Sequence, residues 1–222
     1  PNNNFEASSG GLCMKRHYYK SIGAEKSPTD VDALRTMRLG TVMHNEFEKA
    51  IDDAAFQHPN LKIMQEILVE SEYLGVTGHL DLLIVDEEGK GSIYDWKTAK
   101  SFKFKQVFGG KNASSNYEIQ LGTYASLSLE MGLCKEIKHM GLLYYSKDTS
   151  EMAELGVNLS FIKRAEEYWL SVKNLVKTAI QVNIEPQPEN NRVPVYKWEC
   201  NYCNYSPICN SPLNKNFKGG KL

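Results

Sequence analysis

Residues 78–97 read GHLDLLIVDEEGKGSIYDWK, and this stretch decides the fold. Apolar and β-branched residues flank the turn-forming run Asp86-Glu87-Glu88-Gly89 on both sides. This pattern predicts two strands, at 76–85 and 92–97, that a tight turn joins as a hairpin.

Three charged residues of this hairpin are expected to meet. With the turn centred on Glu88, Asp81 stands opposite Asp95, and such partners have β-carbons roughly 4.5–5.5 Å apart. Lys97 shares the face of Asp95, because side chains two residues apart on a strand point the same way. Two carboxylates this close repel unless a cation lies between them, and oxygen ligands favour Mg²⁺ or Mn²⁺. Two solvated residues on an exposed sheet face are the alternative, and they are the commoner origin of an isolated Asp-x-Lys.

The remaining pattern predicts an α/β domain with a mixed sheet. Apolar periodicity indicates helices at 30–57 (interrupted near Gly40), 115–131 and 160–182, further strands at 62–73 and 137–146, and a basic loop at 98–114. The first helix carries an apolar stripe formed by Met43, Phe47, Ala50, Ile51 and Ala54.

The composition is that of an ordinary globular chain, with 222 residues, 41% hydrophobic and 24% charged. Because the net charge is −1, contact with a polyanion must come from local basic clusters. The sequence contains no bilayer-length apolar run, no secretory signal and no Walker A motif. We therefore expect a cytosolic protein without a nucleotide-driven motor of its own.

Two further polar residues border faces that are otherwise apolar. His44 lies at the edge of the stripe on the first helix, where a histidine is more often a packed core residue than a ligand. Gln120 heads an inward face that Tyr124, Leu127 and Met131 continue at helical spacing. A buried amide needs hydrogen-bond partners, which a site of carboxylates, lysine and phosphate would supply. Otherwise Gln120 caps an ordinary helix end.

The order of these motifs resembles a known family. His44, Gly78-His79-Leu80-Asp81, Asp95-Trp96-Lys97 and Gln120-Leu121-Gly122-Thr123-Tyr124 are similar to the H…GxxD…DxK…QxxxY series of RecB-type nucleases in the PD-(D/E)xK superfamily. The resemblance implies a restriction-endonuclease-like core that hydrolyses DNA.

The same resemblance implies roles for the residues of the site. The implied metal ligands are His44, Asp81, Asp95 and the backbone carbonyl of Trp96. Lys97 would be catalytic, and Gln120 and Tyr124 would support the site or the DNA. The family often places a glutamate on the preceding strand, and both Glu66 and Glu70 are available for it.

Five cysteines indicate metal ligation rather than disulfides, because the number is odd and the chain is expected in the cytosol. Cys200 and Cys203 form a C-x-x-C, which lets two thiolates reach one metal, and Cys209 follows after five intervening residues. A fourth ligand would be Cys13 or Cys134. Spacing leaves a zinc site and an iron–sulfur cluster both open.

The segment around Cys13, taken with the C-terminal trio, resembles the four-cysteine arrangement of CRISPR-associated iron–sulfur nucleases and the AddB-type nuclease domain. The resemblance implies that a [4Fe-4S] cluster is held by Cys13, Cys200, Cys203 and Cys209, with Cys134 as a bystander. It also implies one nuclease domain over 1–222, with its core at about 30–182 and a cluster cap formed by 1–29 and 183–222.

A basic, aromatic stretch follows Lys97 directly. From Lys97 to Lys111 there are five lysines and no acidic residue, with phenylalanines between them. Lysines contact phosphates and aromatic rings stack on exposed bases, so this composition favours a single-strand path. The candidate nucleic-acid contacts are Lys100, Lys103, Phe104, Lys105 and Lys111. A solvated loop is the alternative.

Together these patterns predict a Mg²⁺- or Mn²⁺-dependent deoxyribonuclease, acting as an exonuclease on single-stranded ends. A structure-selective endonuclease and a non-cutting DNA-binding subunit are the alternatives. The expected partners are DNA and proteins such as a helicase or recombination or CRISPR adaptation factors, with no membrane. The expected location is the cytoplasm, which is the host's if the protein is viral.

Overall fold

The computed structural model of the protein describes residues 5–110, 114–188 and 198–215. Its helices are α1 (Met14–Ser21), α2 (Val31–Ala55), α3 (Ser101–Phe108), α4 (Ser115–Glu130) and α5 (Ser160–Val182). Its strands are β1 (Phe5–Glu6), β2 (Lys62–Ser71), β3 (Val76–Val85), β4 (Lys90–Ala99), β5 (Glu136–Ser146) and β6 (Met152–Gly156). Short 3-10 helices lie at Ala7–Ser9 and Glu199–Tyr202.

The six strands form one mixed sheet. β2–β3, β3–β4 and β5–β6 pair antiparallel, whereas β1–β3 and β4–β5 pair in parallel. A parallel pair needs a crossover connection, and α3 and α4 provide it between β4 and β5. The arrangement confirms the predicted α/β class with a mixed sheet flanked by helices.

One edge of β3 is divided between two neighbours. Its first residues, Val76 and Thr77, pair with β1, and its last residues, 82–85, pair with β4. The intervening residues 78–81 pair with neither of these strands, although β2 covers the opposite edge. The segment Gly78-His79-Leu80-Asp81 therefore lies at a gap between β1 and β4.

Helix α4 packs against the sheet and α5 packs on α4, with a very close approach at Gly122. A β-carbon built there would stand 2.2 Å from the Phe161 carbonyl oxygen, so only glycine permits this approach. Trp169 of α5 is fully buried and donates its indole N–H to the Thr123 hydroxyl at 2.7 Å. Among the helices of the described ranges, none has the length and apolarity needed to cross a membrane.

The structure corrects two predictions about helices. α2 runs unbroken through Gly40, because one glycine costs a helix only about 1 kcal/mol. Of its predicted apolar stripe only Phe47 is buried, and it stacks on Trp96 with the ring centroids 4.3 Å apart. The predicted basic loop at 98–114 instead contains α3, whose inward face carries the buried Phe104 and Val107.

Three short elements are absent from the sequence prediction, namely β1, α1 and β6. Of these, α1 is anchored by His17, which is 1% exposed. The His17 Nε2 atom lies 2.7 Å from the Tyr168 hydroxyl of α5. The Phe5 ring packs edge-on against the His17 ring, with the ring centroids 5.5 Å apart. Burial lowers the pKa of His17 to about 3, with smaller contributions from the nearby cations Arg16 and Lys20.

This buried imidazole predicts acid sensitivity. Below the ordinary pKa of 6.5 the unfolded chain binds a proton that the native His17 does not bind until about pH 3. The free energy of unfolding should therefore fall by up to about 1.4 kcal/mol per pH unit through this window as the pH is lowered. Urea unfolding of wild type and His17→Gln at pH 7, 6 and 5 tests this: the wild-type curve should fall more steeply. Parallel curves would contradict it.

Candidate active site and cysteine cavity

The gap beside β3 is bridged by a carboxylate. Asp81, 9% exposed, accepts a hydrogen bond through Oδ2 from the Trp96 backbone N–H at 2.7 Å. The last paired residues of β3 and β4 are Leu82 and Tyr94, which are the direct neighbours of Asp81 and Asp95. Continued by one step, this register brings Asp81 opposite Asp95, as the hairpin prediction requires.

Three possible cation ligands converge on this gap. One ligand atom each from His44, Glu66 and Asp81 lies within 4.8 Å of the other two, and His44 Nδ1 is 3.8 Å from Asp81 Oδ2. Glu66 has a φ of 47°, a left-handed conformation that is rare for residues other than glycine. Such strain occurs typically at functional positions. The structure thus brings Glu66, rather than Glu70, to His44 and Asp81.

A cation would stabilise the charged forms of the two carboxylates in this group. Burial, and then repulsion from Asp95, raise the pKa of Asp81 to about 8. Burial also raises the pKa of Glu66 and lowers the pKa of His44, which keeps the imidazole neutral and able to act as a ligand. Carboxylate oxygens with one imidazole nitrogen fit a hard divalent cation such as Mg²⁺ or Mn²⁺.

Asp95 lies beside this group, and its two oxygens face Lys97 and Gln120. Its Oδ2 contacts the Lys97 ammonium, and its Oδ1 accepts a hydrogen bond from the Gln120 amide at 3.1 Å. Gln120 in turn accepts from Lys97 at 3.3 Å and donates to the Tyr124 hydroxyl at 3.3 Å. Burial opposes the charge on Lys97, but Asp95 and Asp81 outweigh it and raise the pKa of the lysine. The ammonium therefore stays protonated.

Glycine at position 78 lets β3 approach α4. A β-carbon at Gly78 would stand 2.8 Å from the Ala7 side chain and 2.9 Å from the Tyr124 ring. Tyr124, 3% exposed, therefore packs directly on the GxxD segment while it binds Gln120. The predicted site residues thus form one continuous cluster, in which Trp96 takes part through its backbone N–H to Asp81.

The predicted nucleic-acid residues divide into different environments. Lys100, Lys103 and Lys105 are exposed along α3. Phe104 is 8% exposed and packs on Phe108, with centroids 4.9 Å apart, so its predicted stacking on bases is wrong. The amphipathic helix turns this ring inward. Lys111 lies outside the described residues.

A second site joins the two ends of the described chain. Cys13, Cys200, Cys203 and Cys209 line one cavity, hereafter the cysteine cavity. Cys134 lies elsewhere, with its sulfur 2.9 Å from the position of a β-carbon at Gly91. Burial raises the pKa of Cys13 to about 12 and also raises those of Cys200 and Cys203. Stable thiolates here would therefore need a cationic partner such as a metal.

Polar contacts between distant segments hold the cysteine cavity together. The Cys13 backbone N–H donates to Glu199 at 2.9 Å. The buried Lys15 forms an ion pair with Glu185 at 2.6 Å and donates to Asn210 at 2.6 Å. These contacts bring α1 against the segments that follow α5.

The fold and the site define a class of protein. Residues 32–210 match the sequence model of the PD-(D/E)XK nuclease superfamily, and the chain belongs to that superfamily. This confirms the superfamily and the nuclease activity that the motif series predicted.

Individual relatives are distant. The chain is 24% identical to the CRISPR-associated exonuclease Cas4 of Saccharolobus solfataricus over 202 residues, which cover 90% of this chain and 84% of that protein. The solved structure of SSO0001 matches with a TM-score of 0.54 and 19% identity, over 96% of this chain and 87% of its own. An alkaline exonuclease from Laribacter hongkongensis matches with a TM-score of 0.52 and 12% identity, over 82% and 91%. At these identities the solved structures share the fold.

The position of Glu66 generates a test with a matched control. Glu66→Gln removes one charged oxygen ligand, so the affinity for Mn²⁺ should fall by at least about tenfold. Glu70→Gln, the same change four residues along the same strand, should leave the affinity unchanged. Calorimetric titration with Mn²⁺ measures both. Equal affinities for the two variants would show that the ion binds without Glu66.

Proposed function

We propose that this chain is an exonuclease that uses Mg²⁺ or Mn²⁺ to hydrolyse single-stranded DNA from an end. One observation carries the proposal: the possible cation ligands His44, Glu66 and Asp81 lie next to the half-buried ammonium of Lys97. Negative charge on the phosphate oxygens grows during hydrolysis, and two adjacent positive charges stabilise it.

In this proposal one set of side chains holds the cation. His44, Glu66, Asp81 and Asp95, with the Trp96 carbonyl, would hold the cation. When bound, the cation lowers the pKa of a water molecule and neutralises phosphate charge.

The raised pKa of Lys97 makes it a hydrogen-bond donor to a phosphate oxygen or to the attacking water, rather than a base. Gln120 positions this ammonium, because its amide accepts from Lys97 while it donates to Asp95 and Tyr124.

The preference for single-stranded ends is supported by the surface next to Lys97. Lys100 at the start of α3, and Lys103 and Lys105 within it, are exposed positive charges that can contact a phosphate backbone. The side chain of Phe102 is 73% exposed on the same helix and is available to stack on an unpaired base. The known relatives Cas4 and the Laribacter hongkongensis enzyme are both exonucleases by name.

The setting we propose is a DNA-processing complex of recombination, repair or CRISPR adaptation, in which a helicase or other proteins deliver the strand. The Cas4 relative supports a CRISPR setting by its name. The cytoplasm, or the host cytoplasm for a viral protein, suits the free thiols of the cysteine cavity, because it is reducing.

A first test removes the charge of Asp95. Changes to groups that only orient metal ligands already cost roughly 10–100-fold in activity, so Asp95→Asn should lower cleavage by at least about 100-fold. Asp53→Asn, on the exposed surface of α2, is the matched control and should cut normally. Both variants should keep the wild-type circular dichroism. Wild-type cleavage by Asp95→Asn would refute the active site.

The mode of cleavage is read in the same assay. Linear single strands labelled at the 5′ or the 3′ end should lose nucleotides progressively, whereas a circular single strand should stay intact. Cleavage of the circle would indicate a structure-selective endonuclease. Tight DNA binding without any cleavage, in Mg²⁺ and in Mn²⁺, would indicate a non-cutting subunit.

We also propose that the cysteine cavity holds a [4Fe-4S] cluster rather than zinc. Cys13, Cys200, Cys203 and Cys209 line this cavity together, so four thiols are available to one metal group. Either a zinc ion or a cluster can take such a set. The resemblance of this arrangement to that of CRISPR-associated iron–sulfur nucleases favours the cluster.

The cluster proposal predicts colour and iron. Protein purified without oxygen should be brown, and Cys13→Ser or Cys209→Ser should bleach it and lower its solubility. Cys134→Ser is the matched control and should stay brown, because this cysteine lies outside the cavity. Metal analysis with visible absorbance measures the result. A colourless protein with one zinc per chain would refute the cluster and leave the nuclease proposal intact.

A further inference from the structure

A cavity of about 350 Å³ adjoins Lys97 on the side of α3. It is within the range of pockets that hold small organic ligands, about 300–1,000 Å³. Four lysines line it, Lys97, Lys100, Lys103 and Lys147, and none of its described lining residues is acidic. The cavity therefore suits an anion attached to a group about the size of one nucleotide.

The cavity also contains a buried hydroxyl without a partner. Tyr144 is 2% exposed, and its hydroxyl makes no hydrogen bond with the described residues. An unpaired buried hydroxyl costs about 1–3 kcal/mol in stability, so such groups generally have a partner. In the parallel pairing of β4 with β5, Tyr144 is in register with Lys97. The hydroxyl is thus placed for a ligand that reaches Lys97.

Backbone contacts fix the position of Lys147. Its own N–H donates to the Ala99 carbonyl at 2.8 Å. The next residue, Asp148, accepts from the Ser101 N–H at 2.7 Å, at the first residue of α3. The loop after β5 is therefore tied to the start of α3, which holds the Lys147 charge beside the cavity.

Aromatic rings supply the apolar part of the lining. The Tyr117 ring lies 4.6 Å from the Lys97 ammonium, and the exposed Phe102 also lines the cavity. The Phe108 ring packs edge-on against Tyr144 at 5.7 Å. Rings next to lysines are the surface that stacks unpaired bases and contacts their phosphates.

We infer that this cavity is a subsite for one unpaired nucleotide next to the phosphate being cleaved. The Tyr144 hydroxyl donates a hydrogen bond to the nucleotide, and Lys147 contacts its phosphate. The rings of Phe102 and Tyr117 flank the base. This inference rests on the proposed nuclease function and deepens it. A cavity of this size takes one nucleotide rather than a base pair, so it selects single strands.

The test compares two variants with matched controls. Tyr144→Phe removes only the hydroxyl, and Lys147→Ala removes the charged side chain but keeps the backbone N–H that donates to Ala99. The controls are Tyr145→Phe, whose hydroxyl bonds Ser150 instead, and Lys177→Ala on the exposed surface of α5.

Two measurements are made on each protein. One is the binding of a fluorescent single-stranded oligonucleotide in EDTA across a salt series, and the other is kcat and KM for cleavage.

Both cavity variants should bind the single strand about tenfold more weakly, with KM raised and kcat little changed. Lys147→Ala should also flatten the log–log salt dependence by roughly 0.7 for the lost phosphate contact, whereas Tyr144→Phe should leave the slope unchanged. Binding to a blunt duplex should change in neither variant. The two controls should match wild type throughout.

The outcomes separate this subsite from the nuclease proposal. Wild-type affinity and KM in both cavity variants of an enzyme that cuts would overturn the subsite alone. An equal loss of duplex binding would overturn its selection of unpaired nucleotides. A protein that never cuts, yet binds single strands through Tyr144 and Lys147, would support the subsite and overturn the nuclease proposal.

Discussion

The hydrogen bond from the Trp96 backbone N–H to the Asp81 carboxylate joins β4 to β3 at the point on which the rest of the site depends. It lies where β3 is paired with neither β1 nor β4, so a side chain provides the acceptor that a strand backbone would otherwise supply. The bond fixes the Asp81 carboxylate next to His44 and leaves β3 and β4 joined beyond the end of their ladder. The candidate active site thus occupies an interruption of the sheet, where backbone pairing does not fill the space.

This arrangement has a cost in the protein without its cation. Burial and the neighbouring Asp95 raise the pKa of Asp81 to about 8, and Glu66 holds a strained backbone conformation. Such costs persist only where the surrounding structure imposes them. Here the packing of Tyr124 on Gly78 and the amide of Gln120 supply that constraint. Because a divalent cation would relieve the repulsion between the carboxylates, this group of side chains favours binding one.

The cysteine cavity is connected to the same core through α5. The Tyr168 hydroxyl contacts His17 of α1 and donates to the Leu12 carbonyl at 3.1 Å, directly before Cys13. α5 also packs against α4, the helix that carries Gln120. Residues near the two ends of the described chain are therefore held against α5, which packs on the helix that carries Gln120 of the candidate active site. A group bound by the four cysteines would stabilise this junction, because it links α1 to the segments after α5.

The sequence alone was sufficient for the hairpin that brings Asp81 opposite Asp95, and for α5, whose predicted limits match the structure. Both follow from turn chemistry and side-chain periodicity among residues close along the chain. Only the tertiary structure decided between Glu66 and Glu70, turned Phe104 inward, and placed Tyr144 in register with Lys97. The tertiary structure also places Cys13 in the cysteine cavity with the C-terminal cysteines, whereas Cys134 does not line this cavity. These relations join segments far apart in sequence, and they depend on how helices and strands pack, which local periodicity does not encode.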